Sequence, residues 1–512
     1  MERLPGFRDF YPEPLPHPDV WSAEARQHIF NRWRETARRY GFREYDGPPL
    51  EPLELYTLKS GQEIVGQLYH FIDKGERAIS LRPEMTPTLA RMIAAHERNY
   101  KKPIKWFAIP QLFRYERQQK GRLREHFQFN ADLIGEGGPA ADAEIIALLI
   151  DTLRACGLTQ EDFVIRLSSR NFWQEAFAQH CGDKAKEYDF FQAIDKLERV
   201  GAEETTRQLS ALGIAKAQQI LDLVKSDQPT ADLQIILGNL RARGLADFVK
   251  IDYHVIRGLA YYTGMVFEAF DKKGDFRAIA GGGRYDNLIK LMSGGKVDLP
   301  ALGFGMGDVV LLELLKSRGL LPRFRSQVDV YCLVEDETLR DASLDLVGSL
   351  RERGLAVEYS LTPTKSDKQF KRAMELKARF TICLRAAVQG SAEVKLKNVS
   401  SQEEKTMSLE EVSEFDFSRT KIRLTLGESD MLRQQDPKTA TRGGFQAFLV
   451  ELGRRISDPS NEIELDDRDL ERINRYATQY GGGGYETRMF KIFGRTLGEN
   501  FGWPEKYKTY IQ

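Results

Sequence analysis

The chain has 512 residues, 41% hydrophobic and 29% charged, which is the balance of an ordinary soluble globular protein of about three domains. Its 75 basic and 75 acidic side chains cancel, so no whole-molecule field draws it to nucleic acid or membrane and only local patches can. Four scattered cysteines (Cys156, Cys181, Cys332, Cys383) without a CxxC exclude a zinc knuckle and a disulfide framework, the charged and proline-bearing start MERLPGFRDFYPEP lacks the apolar core of a signal peptide, and no apolar run spans a bilayer. These features predict a cytoplasmic protein with no membrane segment and no protein-bound metal.

In chain order, Ala25, Ile29, Trp33, Ala37 and Tyr40 share one face of a helix predicted over about Trp21 to Tyr40, which Gly41 stops. PPLEPLELY reads as an extended, proline-rich segment. From Ile104 to Gly135 the pattern turns to strand. KWFAIPQLFRYERQ and HFQFNADLIG are joined by a charged turn around QQKGRLRE, and alternation lets one face present Arg114, Glu116, Gln128 and Asp132 together. Residues of about 170–245 read as a helical insertion, followed by strand signals at 255–270 and 277–289 and then by ALGFGMGDVV, which runs into an apolar helix. A basic linker, LPRFRSQ, precedes a βα repeat (strands VDVYCLV, AVEYSL, RFTICL and EVKLKNV, helices over about 337–353 and 367–378), predicting a small α/β domain with a mostly parallel sheet. Beyond about 416 the pattern is polar and then helical around 442–456, 467–480 and 485–497.

Chemistry concentrates in four stretches. Arg114 and Glu116 sit in apolar strand sequence, and a buried arginine needs an anionic partner such as a phosphate or carboxylate. In LRPEMTP, Thr86 and Pro87 read as helix N-cap and first helical residue, with Glu84 free to face a pocket. VIRGLAYYTG places Arg257 beside Tyr261 and Tyr262. ALGFGMGDVV fits neither G-x-G-x-x-G nor a P-loop. It reads as a strand whose missing side chains leave room for a flat ligand or a close neighbour.

Together these stretches resemble a class II aminoacyl-tRNA synthetase, and within that class the histidyl-tRNA synthetases, over about residues 1–410. LPGFRDFYP resembles the N-terminal signature, and GFREYDGPPLEP resembles motif 1, which builds the dimer interface. FRYERQQKGR with HFQFNADLIG resembles motif 2, IRGLAYYTG and AGGGRYD the two histidine-specific signatures, and ALGFGMGDVV motif 3. The resemblance implies an α+β catalytic domain with a mostly antiparallel sheet over 1–325, carrying the helical insertion at about 170–245. It further implies an anticodon-binding α/β domain over 326–415 and leaves a helical C-terminal extension, 416–512, of unknown role.

The activity implied is ATP-dependent activation of L-histidine and transfer to the 3′ end of tRNA(His) by a homodimer, with ATP and Mg2+ entering as substrate. In that reading Arg114 and Arg257 are catalytic. Glu116 reads the adenine amino group, Arg122 reaches the outer phosphates, Phe127 or (in the other register) His126 stacks on adenine, and Gly305 and Gly307 line the adenosine side. Glu84, Met85, Thr86, Gln128, Asp132, Tyr261, Tyr262 and Tyr285, with both arginines, form the histidine pocket. The sequence departs from the family at Val309-Val310, where motif 3 usually has Glu-Arg, at Ala260 for an aspartate, and at Asp132 for a glutamate. The competing reading is a catalytically silent paralogue, the regulatory subunit of ATP phosphoribosyltransferase. Such paralogues generally lack the anticodon domain and erode the histidine signatures, both of which this chain keeps.

Overall fold

The computed structural model describes the chain apart from residues 1, 14, 18, 61, 116–122, 215, 257–261, 322–327, 387–391, 400–401, 418, 443, 479–483, 499–500, 502, 504 and 512. The expected Glu116, Arg122, Arg257 and Tyr261 therefore lie outside the described residues. The chain forms two compact units, Met1–Leu320 and Leu321–Gln512.

The first unit opens with a short parallel pair, β1 (Phe10–Tyr11) and β2 (Trp21–Ser22). Helix α1 (Ala23–Arg39) starts two residues later than the apolar periodicity suggests, because Ser22 is its N-cap and accepts from the Ala25 N–H. Strands β3 (Arg43–Glu44) and β4 (Leu50–Pro52) follow. The extended reading of PPLEPLELY holds only as far as Pro52, since Leu53–Ser60 is helix α2. Strand β4, β5 (His70–Ile72) and β6 (Ala78–Leu81) form a separate antiparallel sheet in the order β4-β6-β5, after which comes α3 (Thr86–His96).

The main sheet has nine strands. Its order is β11 (Val249–Ile251), β10 (Phe163–Ser169), β12 (Met265–Asp271), β13 (Ala280–Arg284), β14 (Ala301–Gly307), β9 (Glu125–Ile134), β7 (Ile104–Ala108), β3, with β8 (Gln111–Phe113) pairing the start of β9. The central pairs are antiparallel. Within the strand signal at 255–270, β12 covers Met265–Asp271, and 257–261 lie outside the described residues.

Alternation divides this sheet cleanly. Phe107, Phe129, Ala131, Leu133, Leu302, Phe304, Met306 and Phe267 share one face, which packs on α1, α4 (Pro139–Ala155) and α12 (Asp308–Ser317). Trp33 of α1 stacks on Phe129 at 5.6 Å. The other face carries Gln128, Asn130 and Asp132 beside Gly303, Gly305 and Gly307. The helical insertion runs from α5 (Arg170–His180) to α10 (Ala231–Ala242) between β10 and β11, and α11 (Leu288–Met292) follows β13. The insertion is anchored by Phe172 stacked on Tyr253 at 4.0 Å.

In the second unit, β15 (Val330–Leu333), α13 (Arg340–Glu352), β16 (Val357–Tyr359), α14 (Ser366–Glu375) and β17 (Phe380–Arg385) form the expected parallel βα core. The sheet is mixed rather than mostly parallel. Strands β18 (Glu393–Asn398) and β19 (Glu404–Ser408) continue it antiparallel, and α15 (Leu409–Glu414) follows.

The C-terminal segment contains the expected helices as α17 (Gly444–Arg454), α18 (Asp467–Thr478) and α19 (Tyr485–Leu497). It also holds α16 (Leu426–Arg433) and an unexpected antiparallel pair, β20 (Thr420–Arg423) with β21 (Glu462–Leu465). Its core, including Phe448, Leu449, Ile473, Phe490 and Phe493, is distinct from the core of the mixed sheet, which includes Val330, Ile382, Leu396 and Phe417. Among the described residues, no helix is long and apolar enough to cross a membrane.

Candidate active site

The polar face of the main sheet is floored with glycine. Antiparallel register sets Gly303 opposite Asp132 and Gly283, Gly305 opposite Asn130 and Gly281, and Gly307 opposite Gln128. A β-carbon on Gly303 would overlap the Asp132 carboxylate and come within 2.6 Å of the Ala131 carbonyl oxygen. One on Gly305 would meet the Gln128 amide at 2.6 Å, and one on Gly283 would press the Tyr262 ring at 3.1 Å. The alternate glycines of ALGFGMG therefore make room for the side chains of β9, and these project where larger residues on β14 would otherwise lie.

Asp132 is buried and accepts a very short hydrogen bond from the Tyr285 hydroxyl. Burial pushes its carboxyl up to about 7, against the opposing pull of Tyr285. Tyr285 is fixed by its neighbour: Arg284 donates to Asp142 at 2.6 and 3.2 Å and so pins the end of β13 to the start of α4. Trp106 lies opposite Asp132 in β7, and the Tyr45 ring packs against Trp106 at 5.5 Å. The Tyr45 hydroxyl is buried without a hydrogen-bond partner, and burial raises it well above the usual tyrosine value, with the charge of Asp132 adding to the rise. Tyr45 and Trp106 were not expected at the pocket, since nothing in YDGPP or KWF marks them beyond aromaticity.

The LRPEM turn reaches the same region. Arg82 donates to Asp46 (3.0 Å) and to the carbonyls of Gly47 (2.6 Å) and Gln111 (3.1 Å), locking the turn between the segment before β4 and β8. Arg114 Nε donates to the Pro83 carbonyl at 3.0 Å, which brings the arginine beside Glu84, Met85 and Thr86. Met85 is fully buried, and Glu84 and Thr86 are partly exposed. Thr86 is the first helical residue rather than the N-cap. Met85 holds the cap position without a side-chain hydrogen bond, and Pro87 falls one residue further in.

One further expectation changes. Phe127 lies on the apolar face, its ring 5.2 Å from Phe30 and 6.2 Å from Phe10, with the Arg26 guanidinium 5.3 Å over it. Strand alternation turns His126 to the face of Gln128 and Gly307. Of the two valines where motif 3 usually carries Glu-Arg, Val309 is buried against the core while Val310 is only partly buried.

Sequence reasoning missed a buried ion cluster at the same end of β9. Arg8 Nε donates to Glu125 at 2.6 Å and Nη1 donates to Asp308 at 2.9 Å, with all three side chains essentially inaccessible. Burial pulls the Arg8 guanidinium down, but Asp308 and Glu125 outweigh it and leave its pKa raised. Burial raises Asp308, with Arg8 opposing. Among the described residues, no group of three His, Cys, Asp or Glu side chains could hold a metal ion.

A family model described as histidyl-tRNA synthetase matches residues 19–308. The chain belongs to the histidyl-tRNA synthetase family. A second model, an anticodon-binding domain, matches residues 327–416. The histidine–tRNA ligase of Opitutus terrae is 45% identical over 80% of this chain and 97% of its own. The chloroplastic/mitochondrial histidine–tRNA ligase of Arabidopsis thaliana is 36% identical over 80% of this chain and 85% of its own. The crystal structure of histidyl-tRNA synthetase from Nostoc sp. PCC 7120 superposes with a TM-score of 0.64 at 24% identity, covering 76% of this chain and 94% of that one. The fold is thus the class II synthetase catalytic fold followed by an anticodon-binding domain.

Proposed function

We infer that this chain is a histidine–tRNA ligase. In the first step a carboxylate oxygen of L-histidine attacks the α-phosphorus of ATP. The bond to the bridging oxygen breaks, pyrophosphate leaves and histidyl-adenylate remains. In the second step a hydroxyl of the terminal ribose of tRNA(His) attacks the acyl carbon, AMP leaves and the hydroxyl proton is lost.

The observation that carries this reading is the buried Asp132–Tyr285 pair seated over Gly303 and Gly283, beside Tyr262 and Gln128. Its polar groups suit an imidazole. A site built to hydrogen-bond a particular polar group rejects analogues that lack it. Arg114, held at Pro83, is the cation for the substrate carboxylate and the α-phosphate, and Arg257 is the cation for charge developing in the in-line displacement. Glu84, Met85, Thr86 and Tyr261 complete the histidine pocket. Glu116 and Arg122 contact adenine and the outer phosphates, Gly305 and Gly307 line the adenosine side, and His126 takes the adenine face in place of Phe127. Mg2+ arrives with ATP.

The three-domain division remains as proposed: a catalytic domain over 1–325, an anticodon-binding domain over 326–415 and an extension over 416–512. The anticodon-binding match at 327–416 supports the ligase over the regulatory-subunit reading. Homodimerisation rests on the motif 1 resemblance and on the exposed apolar residues Leu50, Phe71 and Ile72 of the β4-β6-β5 sheet. A cytoplasmic site of action remains the reading made from the sequence.

The test is histidine-dependent exchange of labelled pyrophosphate into ATP. Arg257→Ala is expected to cut the exchange rate by about 100-fold or more, as loss of one preorganised transition-state donor does, with little change in the KM for histidine. A wild-type chain without histidine-dependent exchange sinks the ligase reading. An unimpaired Arg257→Ala relocates the catalytic cation.

A further inference from the structure

The N-terminal segment carries an interaction network that the reaction as described does not use. Arg8 is surrounded on every side. Its guanidinium donates to both oxygens of Glu125 (2.6 and 3.3 Å) and both of Asp308 (2.9 and 3.3 Å), and it lies 4.6 Å from the centre of the Trp21 ring and 5.0 Å from that of Phe10. The carboxylates are held further. Gln111 Nε2 donates to Glu125 at 3.0 Å, and the backbone N–H of Phe127 donates to Asp308 at 3.0 Å. One more link joins the same two segments, the Arg124 N–H to the Gly6 carbonyl at 2.9 Å. Asp308 is the first residue of α12, where the helix N-terminus favours a carboxylate.

The consequence lies in what this network brackets. Residues 124, 125 and 127 are each tied down, two of them from the side of the sheet away from the pocket. His126 stands between them with its side chain on the pocket face. We propose that Arg8, Glu125 and Asp308 form a strap that positions the start of β9, and His126 with it, for ATP. Motif 3 then contributes to ATP binding through Asp308 and the N-terminal segment, in place of the arginine absent at Val310. The proposal rests on the adenine role given to His126. Arg8 is a positioning residue and touches no reacting atom.

Removing one partner leaves charge stranded. Without Arg8 two carboxylates remain buried beside each other, and without Asp308 the guanidinium keeps one carboxylate and the Phe127 N–H loses its acceptor. The strand start must then shift to find water or another partner. The effect falls chiefly on ATP, because Asp132 sits further along β9, opposite Gly303 in the antiparallel register with β14.

The experiment measures pyrophosphate exchange and thermal melting for Asp308→Leu, Asp308→Asn, Arg8→Lys and His126→Ala in the full-length protein. Asp308→Leu is expected to raise the KM for ATP by about tenfold, with the KM for histidine within about twofold of wild type. Asp308→Asn keeps an acceptor for both Arg8 and the Phe127 N–H, and it is expected to recover most of that loss. Arg8→Lys cannot span both carboxylates and is expected to fall between the two. If folded Asp308→Leu melts lower but keeps its ATP KM while His126→Ala raises it, the strap is structural only and the proposal is overturned. If Asp308→Leu raises the ATP KM and His126→Ala does not, the adenine contact lies elsewhere and the proposal that the strap acts through His126 is overturned. If neither variant changes the ATP KM, both readings fall.

Discussion

At the scale of single residues the pocket is defined by absent side chains as much as by present ones. Gly303 and Gly305 have the same chemistry but different neighbours, so replacing each with alanine should not give the same result. A methyl at 303 meets backbone and the Asp132 carboxylate, neither of which can retreat. Gly303→Ala is expected to cost about 1–3 kcal/mol of stability, the range for overpacking, and to abolish histidine-dependent exchange. A methyl at 305 first meets the end of Gln128, a flexible side chain. Gly305→Ala is expected to melt close to wild type while raising the KM for histidine by about tenfold. Equal kinetic constants for wild type and Gly305→Ala would remove Gln128 from the pocket.

Asp132 allows a test of sign. Its folded-state pKa, pushed to about 7 by burial, lies above its unfolded value. Between the two values the folded chain holds a proton that the unfolded chain has released, so this group makes stability fall as pH rises, with the full penalty above about pH 7. Asp132→Asn removes the penalty and keeps an acceptor for Tyr285. The free variant should melt above wild type at pH 8, by on the order of 1–3 kcal/mol. The gap should close towards pH 4, and histidine activation should be impaired throughout. A gap independent of pH would show that the proton on Asp132 is not its cause.

At the scale of elements, what the sequence revealed depended on how local the signal was. α1 and the C-terminal helices were legible because their apolar periodicity is local and dense. The β9 and β14 strands were legible because alternation and glycine spacing survive in a short window. Long-range pairings were not. β20 finds β21 across three intervening helical segments, and Arg8 finds Asp308 across 300 residues, so no window contains either signal. Alternation from Gln128 already sets His126 on the pocket face and Phe127 on the other, and the packing of Phe127 on Phe30 agrees with it.

The β4-β6-β5 sheet belongs with these non-local features. Phe71 and Ile72 are 49% and 65% exposed on its edge strand β5, too apolar for an edge left to water. If this face pairs two copies, Phe71→Glu should shift the protein from dimer to monomer in sedimentation velocity, and pyrophosphate exchange should drop with it. A variant that sediments as wild type places the dimer contact elsewhere.

At the scale of the whole molecule the open question is the C-terminal extension. The anticodon-binding match ends at residue 416, but the packing does not stop there. Phe415 and Phe417 stack edge-on against Phe380 of β17, so Phe417 belongs to the core of the mixed sheet. A truncation meant to remove only the extension should therefore follow Arg419. Beyond it the segment has its own core, and several of its basic side chains are held in ion pairs: Lys421 with Glu462, Arg455 with Asp469, Arg472 with Glu451 and Arg495 with Glu428. Binding to a nucleic-acid backbone needs a stripe of cations free to displace counterions, and paired arginines supply little of that. The chain ending at Arg419 is accordingly expected to keep both pyrophosphate exchange and tRNA(His) charging within about twofold of the full-length protein. The salt dependence of charging should be unchanged, because a lost phosphate contact would reduce its slope by about one per cation. Loss of charging with exchange intact, together with a shallower salt slope, would overturn that expectation and make the extension part of the tRNA-binding surface.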